Sequence, residues 1–391
     1  MHPENRWLLP EGVDEVLPDN ARRLEALRRA VLDLLASWGY ELVDPPLVEY
    51  LDSLLSGVGE DLDLQTSKLV DQVSGRLLGV RADMTPQVAR IDAHRLKRQG
   101  PSRLCYVGPV FHTRPDRFLG SRNPMQIGAE LYGHAGLESD LEIATLICET
   151  LRLAGFSSTT LDVGHVGVVR AVVRAAGLSD ADSLRLRDIL ARRSEPELRA
   201  FVAEGTVPDA YRPLVAEMPR LAGDLSVCAR AKALVPPESA AAVAAIDEVA
   251  AIADALAARV DGVEVSVDLA ETRGYHYHTG LIFTSYVQGE GQEIAWGGRY
   301  DDIGSVFGCA RAATGFSTDL KKLVMLGRGA PPSRGAILAP AVHDPDLEQT
   351  IALLRAEGRV VVRALSGAGE APEHYGCDHT LRRVDDGWRI D

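Results

Sequence analysis

The segment VEVSVDLAETRGYHYHTGLIFTSY, residues 263–286, holds an octapeptide between two stretches of β-forming residues. Residues 263–269 alternate apolar and polar side chains, and residues 281–286 are rich in branched and aromatic ones. Both patterns predict strands. The octapeptide itself, Arg273-Gly-Tyr-His-Tyr-His-Thr-Gly280, is therefore predicted to lie in or between strands.

The ring side chains of this octapeptide occupy alternate positions along the chain. Because side chains two residues apart on a strand point to one face, an extended octapeptide places Arg273, Tyr275 and Tyr277 on one wall. His276 and His278 then lie on the other wall, an arrangement that suits a small, planar, charged ligand. An exposed strand with ordinary aromatic pairing is the competing interpretation. For the two histidines, ring stacking or hydrogen bonding is favoured over a metal site, because no further ligands stand at metal-binding spacing.

Composition limits the class of protein. The 391 residues are 46% hydrophobic and 25% charged, which is typical of a soluble globular protein of two or three domains. The formal net charge of −14 disfavours a broad nucleic-acid-binding surface. Five cysteines without a CxxC pair indicate neither a disulfide framework nor zinc. Without a signal core or a membrane-length apolar run, we predict a cytoplasmic protein with no membrane partner and no metal.

The first part of the chain predicts an α+β unit dominated by hairpins. A helix follows Asp19 or Asn20 as N-cap and ends before Gly39, because apolar residues recur every three or four positions. The other predicted elements are a strand at 40–44, a helix from near Leu47, a hairpin over 65–80 turning at Ser74-Gly75, a helix from Thr85-Pro86 with Thr85 as cap, strands at 104–111 and 125–133, and a helix over 139–154.

The second part predicts a helical module within the core and a small tail. Residues 164–260 are rich in Ala, Leu and Arg and read as an inserted helical module inside a core of residues 1–326. Strands return at 263–286 and 292–296, and a last helix contains Leu320, Leu323, Val324 and Leu326. A Gly/Pro-rich linker at 327–335 then leads to an α/β tail, residues 336–391, with a strand at 336–339, a helix over 344–357 and a strand at 359–363.

Three further segments complete a family resemblance. They are Arg81-Ala-Asp-Met-Thr-Pro86, then Gly108-Pro-Val-Phe-His-Thr-Arg-Pro115 with Gln126-Ile-Gly-Ala-Glu130, then Gly297-Gly-Arg-Tyr-Asp301 followed by Gly315-Phe316. In this order and spacing, over residues 5–326, they resemble the catalytic domain of histidyl-tRNA synthetase, a class II synthetase, and the octapeptide resembles its histidine-specific signature. The resemblance implies a class II α+β core with an antiparallel sheet flanked by helices, and a dimer.

The resemblance also implies a pocket for free histidine. Burying the charged groups of an amino acid unpaired is costly, so such a pocket needs matching charges. Asp83 and Thr85 fall where the family binds the α-amino group, Glu130 can accept from an imidazole N–H, and Arg273 is the cation for the carboxylate. Tyr277 adds an aromatic wall and a hydroxyl. The histidine-binding positions implied are Asp83, Thr85, Gln126, Glu130, Arg273 and Tyr277.

Each of these residues also has a plain structural interpretation. Asp83 with Thr85 is compatible with a helix-capping pair, Glu130 with a charge at a strand edge, and Arg273 with a surface ion pair. The sequence leaves these alternatives open for each residue taken alone.

The chain departs from the family at its ATP site. Class II synthetases use two arginines to bind the phosphates of ATP, since a bidentate guanidinium stabilises the charge that develops during adenylation. His112 occupies the first position, with Arg114 nearby, and the pattern Gly-Leu-Glu-Arg-Leu is replaced by Asp319-Leu-Lys-Lys-Leu323, where Lys322 lacks the guanidinium fork. The signature Leu-Asp-Tyr-Tyr is Tyr275-His-Tyr-His278. The sequence thus predicts histidine recognition without ATP chemistry.

A synthetase-like core with these losses and a short, net acidic tail resembles the regulatory subunit of ATP phosphoribosyltransferase. That resemblance implies a non-catalytic chain, without catalytic residues or cofactor, that activates a short-form catalytic subunit in the first step of L-histidine biosynthesis. It also implies L-histidine as feedback effector, a hetero-oligomer built on a dimer, and no tRNA. The alternatives are a truncated histidyl-tRNA synthetase and a histidine-activating or histidine-transferring enzyme without tRNA, against which the missing arginines weigh.

Overall fold

The computed structural model describes most of the chain as two compact units, Met1–Gly329 and Ala330–Asp391. The described residues are 7–56, 60–115, 120–275, 277–308, 310–327, 335–367, 371–384 and 387–391. Most of the predicted linker 327–335 lies outside them, as does the predicted position of His276.

The first unit is built from twelve strands in the described residues, numbered here in chain order. They are β1 (Glu41–Leu42), β2 (Val48–Tyr50), β3 (Ser67–Val70), β4 (Leu77–Val80), β5 (Ser102–Pro109), β6 (Met125–Tyr132), β7 (Thr159–His165), β8 (Ala222–Gly223), β9 (Val263–Asp268), β10 (Leu281–Val287), β11 (Ala295–Arg299) and β12 (Ala313–Asp319).

Helices connect and cover these strands. They are α1 (Pro18–Ser37), α2 (Leu51–Leu54), α3 (Glu60–Gln65), α4 (Thr85–Arg90), which continues as a π-helical turn (Ile91–Leu96), α5 (Leu137–Leu153), α6 (Val166–Ala175), α7 (Asp180–Ala191), α8 (Glu195–Ala203), α9 (Arg212–Glu217), α10 (Ser226–Leu234), α11 (Ala240–Arg259) and α12 (Leu320–Leu326). Among the described helices, none is both long enough and apolar enough to cross a bilayer.

One large sheet organises the first unit. Within the described residues it has nine strands in the order β1-β5-β6-β12-β11-β10-β7-β9-β8, and β2, β4 and β3 form a separate antiparallel sheet. Neighbouring strands of the large sheet are antiparallel except for the pairs β1/β5 and β7/β9. The predicted α+β core, an antiparallel sheet flanked by helices, is confirmed.

The two faces of this sheet differ in chemistry. On one face α5 and α11 pack against the central strands, over buried apolar residues such as Ile127, Phe283 and Val163. The other face carries Glu130 on β6, because directly paired residues share a face, together with Gly315 on β12 and the glycines that continue this row. The apolar side thus makes the core, while the polar side is left for a site.

Several local predictions needed correction. The helix expected from near Leu47 is the strand β2 followed by α2, since β2 pairs with β4. The first helix begins at Pro18, two or three residues earlier than predicted, with proline in its first turn. Thr85 is not the cap of α4 but its first residue, and its N–H donates to the Asp83 carboxylate at 3.0 Å. β7 was not predicted, because its polar and apolar residues continue into the helical pattern of α6.

The octapeptide lies between β9 and β10, as predicted, but it is not extended. Gly274 adopts a positive φ of 61°, and its carbonyl accepts from the N–H groups of Tyr277 (2.8 Å) and His278 (2.7 Å). This tight turn removes the strand alternation. The prediction that Arg273, Tyr275 and Tyr277 line one wall was therefore wrong.

The helical stretch 164–260 shares the core of the sheet. α11 packs on α5, α6, β7 and β9, and buries Val249, Ile252 and Leu256 within the same apolar cluster as the strands. These helices therefore pack directly on the scaffold that carries the polar face.

The second unit is a small α/β fold. Its elements are β13 (Ile337–Ala339), α13 (Pro345–Ala356), β14 (Val361–Arg363), β15 (His379–Val384) and β16 (Gly387–Ile390), with the strand order β14-β13-β15-β16. The predicted strand, helix and strand are present, and Asp344 caps α13 through its side chain. The hairpin of β15 and β16 was not predicted, because its arginine-rich strands lack an apolar run.

Candidate functional site

Glu130 is the centre of a buried polar cluster on the open face of the sheet. Its side chain is almost fully buried and accepts hydrogen bonds from the hydroxyls of Tyr106 (2.9 Å) and Tyr300. Burial raises the pKa of Glu130 to about 8, although the two tyrosine hydroxyls act in the opposite direction. The charge of Asp83 adds to the rise. The cluster therefore holds a carboxyl group that changes protonation near neutral pH.

Asp83, Thr85 and Gln126 join this cluster through direct contacts. The Gln126 amide donates to Asp83 Oδ1 at 2.7 Å and accepts from the N–H of Met84 at 2.9 Å. The Thr85 hydroxyl lies 3.2 Å from Asp83 Oδ1 and 3.0 Å from the Tyr106 hydroxyl. A continuous polar chain thus runs from Asp83 to Glu130. The helix-end contact of Asp83 and the ligand-binding interpretation are compatible, because the same side chain faces the cluster.

Tyr277 closes one side of the cluster. Its ring stacks on Tyr300, with centroids 5.1 Å apart and planes 23° apart. Its hydroxyl is buried and makes no hydrogen bond of ordinary geometry among the described residues, although Thr85 is near enough to oppose the rise in the pKa of Tyr277 that burial causes. Buried polar groups without a partner are rare and costly. The free hydroxyl is therefore suited to a ligand that supplies the missing bond.

Gly315 makes room for the central carboxylate. It is paired with Glu130 across β12 and β6, and a Cβ atom at this position would collide with Glu130 Oε2. Only glycine permits this approach, which gives the Gly315-Phe316 motif a steric reason.

Arg273 lies apart from the other five predicted residues. Its guanidinium donates to Glu271 Oε2 (2.9 and 2.6 Å) and to the Tyr286 hydroxyl (2.8 Å), and lies 3.6 Å from Glu293. Burial opposes the charge, but the bonds to Glu271 raise the pKa of Arg273. β11 and β12 separate the strand of Tyr286 from that of Glu130, a distance of about 14 Å at ordinary strand spacing. The structure brings together five of the predicted residues, Asp83, Thr85, Gln126, Glu130 and Tyr277. It places Arg273 in an ion pair with Glu271.

The positions that depart from the synthetase pattern bind the protein's own backbone. His112 Nε2 is 2.9 Å from the carbonyl of Ala82. Asp319 accepts from the N–H groups of Lys321 and Met125, both at 3.0 Å, and burial raises its pKa. The Lys322 ammonium donates to the carbonyl of Glu293 at 2.9 Å. These side chains thus make hydrogen bonds to backbone groups at the positions where the resemblance implies phosphate binding.

Tyr106 and Tyr300 were missed from sequence. Tyr300 stands in the quoted Gly297–Asp301 motif, which was a usable signal, whereas Tyr106 lies in an ordinary strand pattern. The neighbouring Arg299 is bound to α5: its Nε and Nη2 donate to Asp140 Oδ2 at 3.0 and 2.7 Å, and Nη2 also donates to Ser139 Oγ at 2.9 Å.

Comparison with known proteins agrees with this geometry. A family model described as histidyl-tRNA synthetase matches residues 12–323, and a second, described as the C-terminal domain of ATP phosphoribosyltransferase subunit HisZ, matches residues 334–391. Proteins named ATP phosphoribosyltransferase regulatory subunit from Thioalkalivibrio sulfidiphilus and Alkalilimnicola ehrlichii are 53% and 50% identical, over 98% of this chain and 97% and 96% of theirs.

Solved structures give the same fold. One described as an ATP phosphoribosyltransferase regulatory subunit/histidyl-tRNA synthetase from Bacillus halodurans superposes with a TM-score of 0.82 at 26% identity, covering 96% of this chain and 97% of that one. A histidyl-tRNA synthetase from Nostoc has a TM-score of 0.79 at 18% identity, over 96% of this chain and 91% of its own, and supports the class II fold alone.

Proposed function

This chain belongs to the family of ATP phosphoribosyltransferase regulatory subunits, and from that premise we propose that it activates a short-form catalytic subunit and senses L-histidine at the Glu130 cluster. It is a non-catalytic subunit of histidine biosynthesis, despite its synthetase-like fold. The chain works in the cytoplasm as part of a hetero-oligomer, self-associates as a dimer and does not bind tRNA.

The buried carboxyl group of Glu130, beside the unsatisfied hydroxyl of Tyr277, is the observation that carries the histidine site. An imidazole N–H donates to Glu130, and the α-ammonium group binds the carboxylate of Asp83, which already faces the cluster through Gln126. The ligand therefore brings hydrogen-bond groups where the protein has acceptors and a free hydroxyl.

Arg273 binds the histidine carboxylate in this proposal, and to do so it leaves Glu271. In this exchange the two guanidinium bonds to Glu271 Oε2 are replaced by charge-assisted bonds to the ligand carboxylate. Histidine shifts the complex toward an inhibited arrangement only if it binds that arrangement more tightly. A coupling of about 1–3 kcal/mol is sufficient for such feedback.

The test is an activity assay with a short-form ATP phosphoribosyltransferase. The catalytic subunit is purified and assayed alone, with this chain, and with this chain plus L-histidine. We expect activation by the chain and its suppression by histidine. Absence of both complex formation and activation would refute the proposal, and histidine-dependent ATP–pyrophosphate exchange by this chain alone would instead identify a truncated histidyl-tRNA synthetase.

Replacing Arg273 by alanine should abolish inhibition by histidine while the complex still assembles. The substitution removes the cation for the ligand carboxylate. Because Glu271 is buried, it also leaves that carboxylate without its guanidinium partner, so the folding of the variant is checked first. Activity against histidine concentration gives the effect, and size-exclusion chromatography checks assembly. Arg103→Ala is the matched control, because Arg103 forms a two-pronged ion pair with Glu142 on α5, which covers the opposite face of the sheet. Unchanged inhibition in Arg273→Ala would place the effector elsewhere.

A further inference from the structure

Tyr275 belongs to the octapeptide but is not part of the proposed histidine site. The guanidinium groups of Arg170 on α6 and Arg187 on α7 both lie over its ring, with their Cζ atoms 4.8 Å and 4.4 Å from the ring centroid. Arg170 also donates to the carbonyl of Tyr275. Guanidinium groups at this distance are attracted to the face of an aromatic ring. We call this three-residue arrangement the tyrosine clamp.

The same turn is fixed to α6 by its backbone and to the polar cluster by its next aromatic residue. The N–H of Val166, the first residue of α6, donates to the carbonyl of Gly280 at 3.1 Å. In the other direction Tyr277 stacks on Tyr300, which donates to Glu130. The short segment that follows Gly274 thus contacts the clamp arginines through Tyr275 and the polar cluster through Tyr277.

We propose that the tyrosine clamp couples histidine binding to α6 and α7, with Tyr275 as the positioning residue. The inference rests on the proposed histidine site. A ligand that bonds the Tyr277 hydroxyl restrains the turn, and through Tyr275 that restraint reaches the two helices. Because coupling is reciprocal, a partner whose affinity for α6 and α7 is changed by histidine changes the affinity of the chain for histidine by the same factor. The signature that the octapeptide resembles has leucine in place of Tyr275, which offers no π face.

The test compares hydrogen–deuterium exchange of residues 166–191 in the full chain with and without saturating L-histidine. We expect histidine to slow exchange there about fivefold or more, and Arg187→Gln to lose that response while its affinity for histidine falls by a similar factor. Arg187→Lys keeps a cation over the ring and should restore the response. Arg199→Gln is the matched control, since Arg187 and Arg199 each donate through Nε to the carbonyl four residues earlier, at 3.3 and 3.4 Å.

Tyr275→Leu is a second variant, which removes the ring and keeps both arginines, and it should behave as Arg187→Gln does. Calorimetry measures histidine binding in every variant. The inference fails if histidine binds to the unmodified chain but exchange of 166–191 does not change, or if Arg187→Gln and Tyr275→Leu respond as the unmodified chain does. If calorimetry detects no histidine binding to the unmodified chain, the proposed site itself is wrong and the inference falls with it.

Discussion

Glutamine in place of Glu130 should weaken binding of L-histidine by roughly 10- to 100-fold. A hydrogen bond to a charged group contributes about 1.5–3 kcal/mol, and a factor of ten in affinity corresponds to about 1.4 kcal/mol. Above about pH 8, where Glu130 carries its negative charge, glutamine keeps the shape of the side chain but offers the imidazole N–H only a neutral acceptor. Isothermal titration calorimetry on the isolated chain at about pH 9 measures the effect.

Glu142→Gln is the matched control for this substitution. Glu142 also accepts from a tyrosine hydroxyl, that of Tyr40 at 3.0 Å, but it stands on α5, which covers the opposite face of the sheet. Histidine affinity should be the same as in the unmodified chain. An equal loss of affinity in both variants, or no loss in Glu130→Gln, would contradict the proposed contact.

The raised pKa of Glu130 also predicts how stability depends on pH. The folded chain keeps the proton up to about pH 8, whereas the unfolded chain loses it near the ordinary value of 4.5. Between these values the folded state binds more protons, so stability falls as pH rises, by about 1.4 kcal/mol per pH unit at most. Glu130→Gln removes this term. Urea unfolding at pH 5 and pH 8 should show that the free energy of unfolding falls less with rising pH in Glu130→Gln than in the unmodified chain.

Arg299→Met should lower the free energy of unfolding of the first unit by about 3–5 kcal/mol, because it leaves a buried carboxylate without its partner. Asp140 is almost fully buried and takes both short guanidinium bonds of Arg299. Burial raises the pKa of Asp140 even with Arg299 present. Without Arg299, nothing compensates the free-energy cost of burying the charged Asp140 carboxylate.

Urea unfolding followed by tryptophan fluorescence measures this loss. A Trp388→Phe background confines the signal to the first unit, which holds the other tryptophans, Trp7, Trp38 and Trp296. Adding Asp140→Asn to Arg299→Met should restore part of the stability, since the orphaned charge is removed.

The control is Arg103→Met, which breaks a partly exposed pair with Glu142 and should cost no more than about 1 kcal/mol. If Arg103→Met and Arg299→Met lower the free energy of unfolding equally, the prediction that the buried Asp140 carboxylate makes Arg299→Met more costly is wrong.

Much of the site could be predicted from sequence because its residues lie in local motifs. Asp83 and Thr85 are two positions apart, and Gln126 and Glu130 project from one face of one strand. Such short spacings fix relative geometry without knowledge of the rest of the fold. The hairpin over 65–80 and strands β5 and β6 were predicted for the same reason.

Other features depend on residues far apart in the chain. Tyr106 and Tyr300 meet at Glu130 only because β5, β6, β12 and β11 are neighbours in the sheet. The partners of Tyr275 are also distant in sequence, since Arg170 and Arg187 precede it by about a hundred residues. No local pattern carries these contacts.

The sequence by itself predicted the α+β class from periodicity and motif order. Its resemblance to the synthetase family then implied the histidine-specific signature and the absence of the two ATP-binding arginines, since such motifs are short and can be compared without the fold. Only the tertiary structure decided that the octapeptide is a turn, that Arg273 pairs with Glu271, and that Tyr275 meets two helices. The reason is that tertiary packing determines which groups a side chain contacts. Once Gly274 turns the backbone, residues that are neighbours in sequence contact different elements.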